Sequence, residues 1–246
     1  MKKKLIILIF LTILATTLDS ANIKIISATE LPNEVKFQET TTQTKAEKDA
    51  SEEKVEIAEK YVQRKKMFRS YNNKKIVSKY GTCVQERPNW CGPATAYNII
   101  QRGNQANSAR QLATPRNAGT PFPGNWTTHL NLNRSGNNYQ ATWAHDYNDW
   151  RNNLKNCIMY TVDKGYPLVA DCHITADKST HIHPNYSYAK DTWHYVAIVG
   201  YDDLPKTIPA KVLISDPHPN TGAIPRTYWT SLDKVTRATL DRGIVW

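Results

Sequence analysis

Between residues 29 and 79 the chain has no glycine and no tryptophan, and Glu, Lys, Thr and Gln dominate instead. Such a stretch offers little to a packed core, so it is expected to be a linker or propeptide. Cysteine is scarce: Cys83, Cys91, Cys157 and Cys172 are too few for a disulfide-framed scaffold. Should Cys91 stay free, at most one bridge remains. Pairing of Cys157, in a helical-looking segment, with Cys172, in a strand-like one, is left open. No cysteine directly follows the N-terminal apolar run, so a lipoprotein anchor is not expected. Acidic residues are absent from Lys60 to Lys79, where eight basic residues fall, whereas residues 80–246 carry 16 Lys plus Arg against 12 Asp plus Glu. The formal net charge of +10 therefore belongs largely to the N-terminal third. A basic run outside the core suits loose attraction to anionic wall polymers or lipid head groups, or is simply solvated. No nucleic-acid-binding motif accompanies it, and a nucleic-acid partner is not expected.

The chain opens with three lysines and an apolar run from Leu5 to Leu18, short for a membrane span and shaped like a secretory signal at residues 1–21. Cleavage after Ala21 or as late as Ala28 fits. Residues 22–79 then form the charged linker or propeptide. Within it, residues 44–68 are helix-forming with an untidy apolar stripe, which reads either as a segment lying over a cleft or as a solvated spacer. A chain starting near Tyr80 is expected to fold alone. Residues 80–246 are long enough for one good-sized core and hold the regular Trp, Tyr and aliphatic content.

The stretch VQERPNWCGPATAYNII, residues 84–100, is the most telling. Pro93 suits the first turn of a helix, and good helix formers follow, so the Cys91 sulfur is expected at a helix N-terminus. Unpaired N–H groups there favour negative charge on the nucleophile, and the Gln85 amide six residues upstream is placed to donate to a developing oxyanion. Taken alone, Cys91 is more readily a buried structural cysteine than a reactive one. Further along, DTWHYVAIVGYDD (residues 191–203) reads as a core strand with His194 at its start, and KVLISDP (211–217) as a strand ending at Asp216. If the two strands pair, the acid orients the histidine. Asp202 and Asp203 compete for that role but lie at the far end of the histidine strand. The ordered set of Gln85, Cys91, His194 and Asp216 favours a thiol catalytic site over ordinary packing.

Cys172, His173, His181 and His183 match no zinc spacing, and neither metal nor cofactor is expected. Trp90, Trp126, Trp143 and Trp193 line a cleft or fill the core. Short helices are expected at 106–115, capped by Asn107 or Ser108, and from about 147 to 164, with strands at 167–172, 193–201, 211–216 and 225–229. Helix first and sheet later is an α+β order.

The patterns Q-x5-C-G-P-A, W-H-Y-V-A-I-V-G-Y-D and I-S-D-P resemble the papain-like cysteine peptidases, and more closely the bacteriocin-processing (double-glycine leader) peptidase family and its free-standing secreted relatives, over roughly residues 80–246. The resemblance implies a papain-like fold with an N-terminal Cys-bearing helix packed on a C-terminal antiparallel sheet. It implies Cys91 as nucleophile, His194 as general base and acid, Asp216 as orienter, Gln85 as oxyanion donor and a peptide or protein as substrate. The protein is then expected to be a bacterial peptidase, secreted or surface-associated. The alternatives are a cell-wall amidase or transferase on the same framework, and a non-catalytic wall-binding module.

Overall fold

Two runs of β-branched and aliphatic residues, Tyr195–Val199 and Val212–Ile214, set the centre of the structure, a computed structural model describing residues 38–67, 74–186, 191–202, 210–219 and 223–246. They lie in β4 (Thr192–Asp202) and β5 (Lys211–Ser215), which pair antiparallel with Ala197 opposite Ser215. Around them β3 (Leu168–Ile174), β6 (Thr227–Ser231), β2 (Ala141–Trp143) and β7 (Gly243–Val245) complete a sheet of order β2-β7-β3-β4-β5-β6, and β1 (Lys74–Ile76) also pairs with β4. Every pairing between these strands is antiparallel.

Both faces of the sheet are covered, which is why its central strands read as unbroken apolar runs. Successive side chains of a strand point to opposite faces, and β4 splits accordingly. Val196 and Ile198 join one core cluster, while Tyr195, Ala197 and Val199 join the other. The first cluster takes α1 (Lys45–Met67), α5 (Trp150–Asp163) and α6 (Leu232–Ala238); the second takes α2 (Cys91–Ile100) and α4 (Trp126–Asn133), with α3 (Gln105–Gln111) packed on α2. The α+β class and the Cys-bearing helix against an antiparallel sheet are as expected. The sheet is not wholly C-terminal, because the short strands β1 and β2 come from earlier in the chain.

Three local expectations need correction. The helix expected at 106–115 runs from Gln105 to Gln111, and its cap is Asn104, whose side chain accepts from the Asn107 N–H at 2.8 Å. Asp149 likewise caps α5 by accepting from the Asn152 N–H, so that helix starts at Trp150 instead of about 147. More consequentially, residues 45–67 do contribute to the core. Val55, Ala58 and Val62 lie one above another on α1 and are buried to 5 %, 0 % and 1 % exposure against α5. Nor does α1 lie over Cys91, since Cys91 belongs to the other cluster.

Part of the basic run is built into this packing. Lys65 engages Asp163 and donates to the Tyr201 hydroxyl at 2.7 Å, and the Lys74 ammonium lies 5.0 Å from the centre of the Trp229 ring. All four cysteines are free thiols, Cys157 and Cys172 both within the first core cluster. The expected signal segment and Asp203 lie outside the described residues.

Candidate functional site

Cys91 is the first residue of α2, with Pro93 in the first turn, where the missing N–H costs no intrahelical bond. Gly92 lets this turn press against the 120–122 loop: a Cβ on it would fall 2.2 Å from Thr120 Oγ1 and 2.7 Å from Thr120 Cβ. The segment before the helix is clamped from two sides. Asn98 of α2 accepts from the Cys83 N–H at 2.8 Å and donates to the Cys83 carbonyl at 3.0 Å. Gln105 of α3 holds the Val84 carbonyl and the Glu86 N–H at 2.6 and 2.9 Å. The backbone N–H of Gln85 then reaches the Pro217 carbonyl at 2.8 Å. By these bonds the Gln85 loop is fastened to the chain immediately after Asp216.

His194 stands near the start of β4, opposite Cys172 of β3, and Asp216 follows the end of β5. The pairing of β4 with β5 brings the two together: His194 Nε2 lies 2.8 Å from Asp216 Oδ1, and both side chains are fully buried. Asp216 has further donors. The Tyr228 hydroxyl (2.7 Å) and the Tyr186 hydroxyl both donate to Oδ2, and the His218 N–H donates to Oδ1 at 2.8 Å. Burial alone would raise this carboxyl, but the charge and hydrogen bond of His194, with the Tyr186 hydroxyl, hold it well below the usual carboxylate range. For His194, burial opposes the charged ring; Asp216, with help from the Cys91 thiol, overcomes it and lifts the imidazolium to about 10. The Cys91 thiol is near enough to interact with the ring, although Nδ1 is buried with no partner at hydrogen-bond geometry. The structure thus gathers Cys91, His194 and Asp216, with Cys91 itself 1 % exposed.

Gln85 is also buried, but its amide is engaged. Nε2 donates to the Arg87 carbonyl at 2.9 Å and the Pro88 carbonyl at 2.5 Å, while Oε1 is buried without a partner. Asp202 stands opposite Lys74 and Lys211 in the strand register at the other end of β4, far along the strand from His194. The four tryptophans divide. Trp126 is fully buried against Tyr195, and Trp143 packs edge-on to Phe122. Trp193 is held between the stacked ring of His173 at 4.1 Å and the Arg242 guanidinium at 3.9 Å. Trp90 lies under the Arg87 guanidinium at 4.5 Å. Cys172, His173 and the two later histidines do not gather: His181 Nε2 bonds the Thr175 carbonyl, and His183 meets the Tyr228 ring. Among the described residues no group of three His, Cys, Asp or Glu is arranged to hold a metal ion.

Sequence reading missed Tyr186, Tyr228 and His218 around Asp216. Tyr228 stands in the strand expected at 225–229, but nothing in the spacing of these three residues marks them as partners of a carboxylate. It also missed a second buried polar group beneath the site. Asp171 of β3 lies opposite Tyr195, and Gln38 Nε2 donates to Asp171 Oδ2 at 2.8 Å and to the Tyr195 oxygen at 2.6 Å. The Tyr195 hydroxyl donates to the Thr120 carbonyl at 3.1 Å, tying this group to the loop on which Gly92 packs.

One family model, described as the Peptidase_C39 like family, matches residues 68–236. No curated protein matches the chain.

Proposed function

Because the chain belongs to the Peptidase_C39 like family, we propose that it is a cysteine peptidase in which Cys91, His194 and Asp216 form the catalytic triad. The observation that carries this reading is a thiol at a helix N-terminus beside a buried imidazole whose far nitrogen a carboxylate holds at 2.8 Å. His194 takes the Cys91 thiol proton, and the sulfur attacks the peptide carbonyl carbon. As the C–N bond breaks, His194 returns that proton to the leaving amine. A water then gives its proton to His194, its oxygen attacks the thioester, and the acid product leaves as Cys91 regains its proton. Asp216 keeps the ring oriented and steadies its charge throughout. The oxyanion falls to the Cys91 N–H and to the Gln85 amide, which must release the Arg87 or Pro88 carbonyl to serve.

The lysines and the apolar run at the start of the chain support export, and the exposed Arg64, Lys75 and Lys79 support loose attraction to an anionic wall or membrane surface. A Cys91→Ala protein is expected to lose at least a thousandfold in turnover of a peptide library while its circular dichroism is unchanged. Full turnover by that variant would sink the assignment. Lysis of purified walls by the native protein with no peptide cleaved would move the same triad to a wall amidase or transferase.

A further inference from the structure

Beside the Cys91 loop is an open-sided cavity of about 520 Å³ with Trp90 in its wall and three arginines, Arg87, Arg110 and Arg116, around it. No acidic residue lines it. None of the three guanidiniums pairs with a carboxylate among the described residues. Arg87 lies on the Trp90 ring, and Arg110 bonds the Asn107 side chain. We propose that this cavity is the subsite that receives an acidic side chain of the peptide substrate near the bond that is cleaved, a reading that rests on the peptidase assignment.

Position is the first reason. Trp90 immediately precedes Cys91, and Arg87 supplies a carbonyl that holds the Gln85 amide, so the cavity is walled by the segment that leads into the Cys91 helix. Construction is the second. Asn89, two residues before Cys91, donates to the carbonyls of Pro115, Arg116 and Ala118 at 2.9, 3.2 and 2.8 Å. Those bonds pin the loop carrying Arg116 to the loop carrying Trp90, so the cavity wall is set before a ligand arrives. Chemistry is the third. A guanidinium is a planar fork matched to a carboxylate, and three of them over an aromatic wall concentrate positive potential where little competes for it.

The test is a peptide library in which Glu, Ala or Lys is placed in turn at each position flanking the cleaved bond. The expected result is one position at which Glu raises kcat/KM at least tenfold over Ala. That preference should vanish in the double variant Arg110→Glu/Arg116→Glu. It should persist in Arg102→Glu, which changes the net charge at a different cavity. No acidic preference in the native enzyme, or one that survives the double reversal, overturns the subsite and leaves the peptidase reading standing. If the native enzyme cleaves no peptide, the peptidase reading fails on its own, and binding decides the cavity. A fluorescein-labelled Glu-rich peptide titrated by anisotropy into the Cys91→Ala protein should bind, and the added double reversal should abolish binding. Absence of binding, or tighter binding of polyphosphate than of the peptide, overturns the acidic-peptide assignment.

Discussion

With the proton it takes from Cys91, His194 holds a positive charge where no solvent reaches it, and Asp216, helped by Cys91, makes that tolerable. Removing one member of a buried pair strands the other, so Asp216→Ala is expected to cut kcat by roughly a hundredfold or more. The folded His194 value of about 10 is raised above the ordinary 6.5, so its contribution to stability is full below that ordinary value and is lost as pH rises through about 10. Asp216 is depressed, so its contribution is present above the ordinary carboxylate value and is lost as pH falls from there. The kcat/KM profile of the native enzyme should therefore show an alkaline limb near 10 that moves towards neutrality in Asp216→Ala; an unmoved limb would assign that titration to another group. Asp171 behaves in the opposite sense to Asp216. Burial pushes it up to about 7 against the attraction of Arg242, the Gln38 and Tyr195 hydrogen bonds and the charge of His194. Its Oδ1 and the Gln38 Oε1 are both buried acceptors without a donor, and a proton on Asp171 supplies one. Stability from this group is full below the ordinary carboxylate value and falls as pH rises through about 7. Asp171→Asn should flatten that decline and melt higher than the native protein at pH 8, the gain in unfolding free energy being at most about 4 kcal/mol on the scale of about 1.4 kcal/mol per pKa unit. Melting curves from pH 5 to 9 check it, and a native protein with a flat profile would refute it.

Among the elements, those buried on both faces were the readable ones. The runs of β4 and β5 announce themselves because every position is apolar, and Cys91, His194 and Asp216 fall at their boundaries or at that of α2, where chemistry can be exposed to a partner element. Helix α1 was harder to read because the face it buries contains Ser51 and Lys54 beside Val55, Ala58 and Val62. Those two polar groups are satisfied only in three dimensions: Ser51 pairs with the Thr142 hydroxyl at 2.6 Å, and Lys54 donates to the Asn138 carbonyl at 2.7 Å and to the Trp246 carbonyl. Strands of three residues, β1, β2 and β7, are too short to show a period. The tyrosines around Asp216 were invisible for a related reason, since a hydroxyl finds its acceptor only after distant segments have packed. From the docking of α1 follows a revised expectation for a chain starting at Tyr80. It loses the burial of Val55 and Val62, worth about 1.5–3 kcal/mol each, and bares the α5 face. It should bind a hydrophobic dye and melt well below the full-length protein; equal melting temperatures would show α1 to be an accessory.

At the scale of the molecule, the sheet is closed by its last strand. β7 lies between β2 and β3, pairing Val245 with both Ala141 and Val169. Gly243 admits it: its φ of +157° suits glycine, and a Cβ there would meet the Thr142 carbonyl at 1.9 Å. Trp246 beyond it is fully buried, bonded through its backbone to Gln140 at 2.8 and 2.9 Å and through Nε1 to the Thr142 hydroxyl at 2.7 Å. A protein ending at Arg242 is expected to lack near-ultraviolet circular dichroism and any cooperative melt, and a native-like spectrum would count against this. Time enters here. A ribosome delivers the chain from the N-terminus onward, and domains ordinarily begin to fold as they emerge. This sheet cannot join β2 to β3 until residues 243–245 have been made, about a hundred residues after β2. Pairings that distant in sequence close slowly. Until residues 243–245 are supplied, the nascent polypeptide therefore stays an open thread along this seam, and the seam sets after the local pairings on either side of it.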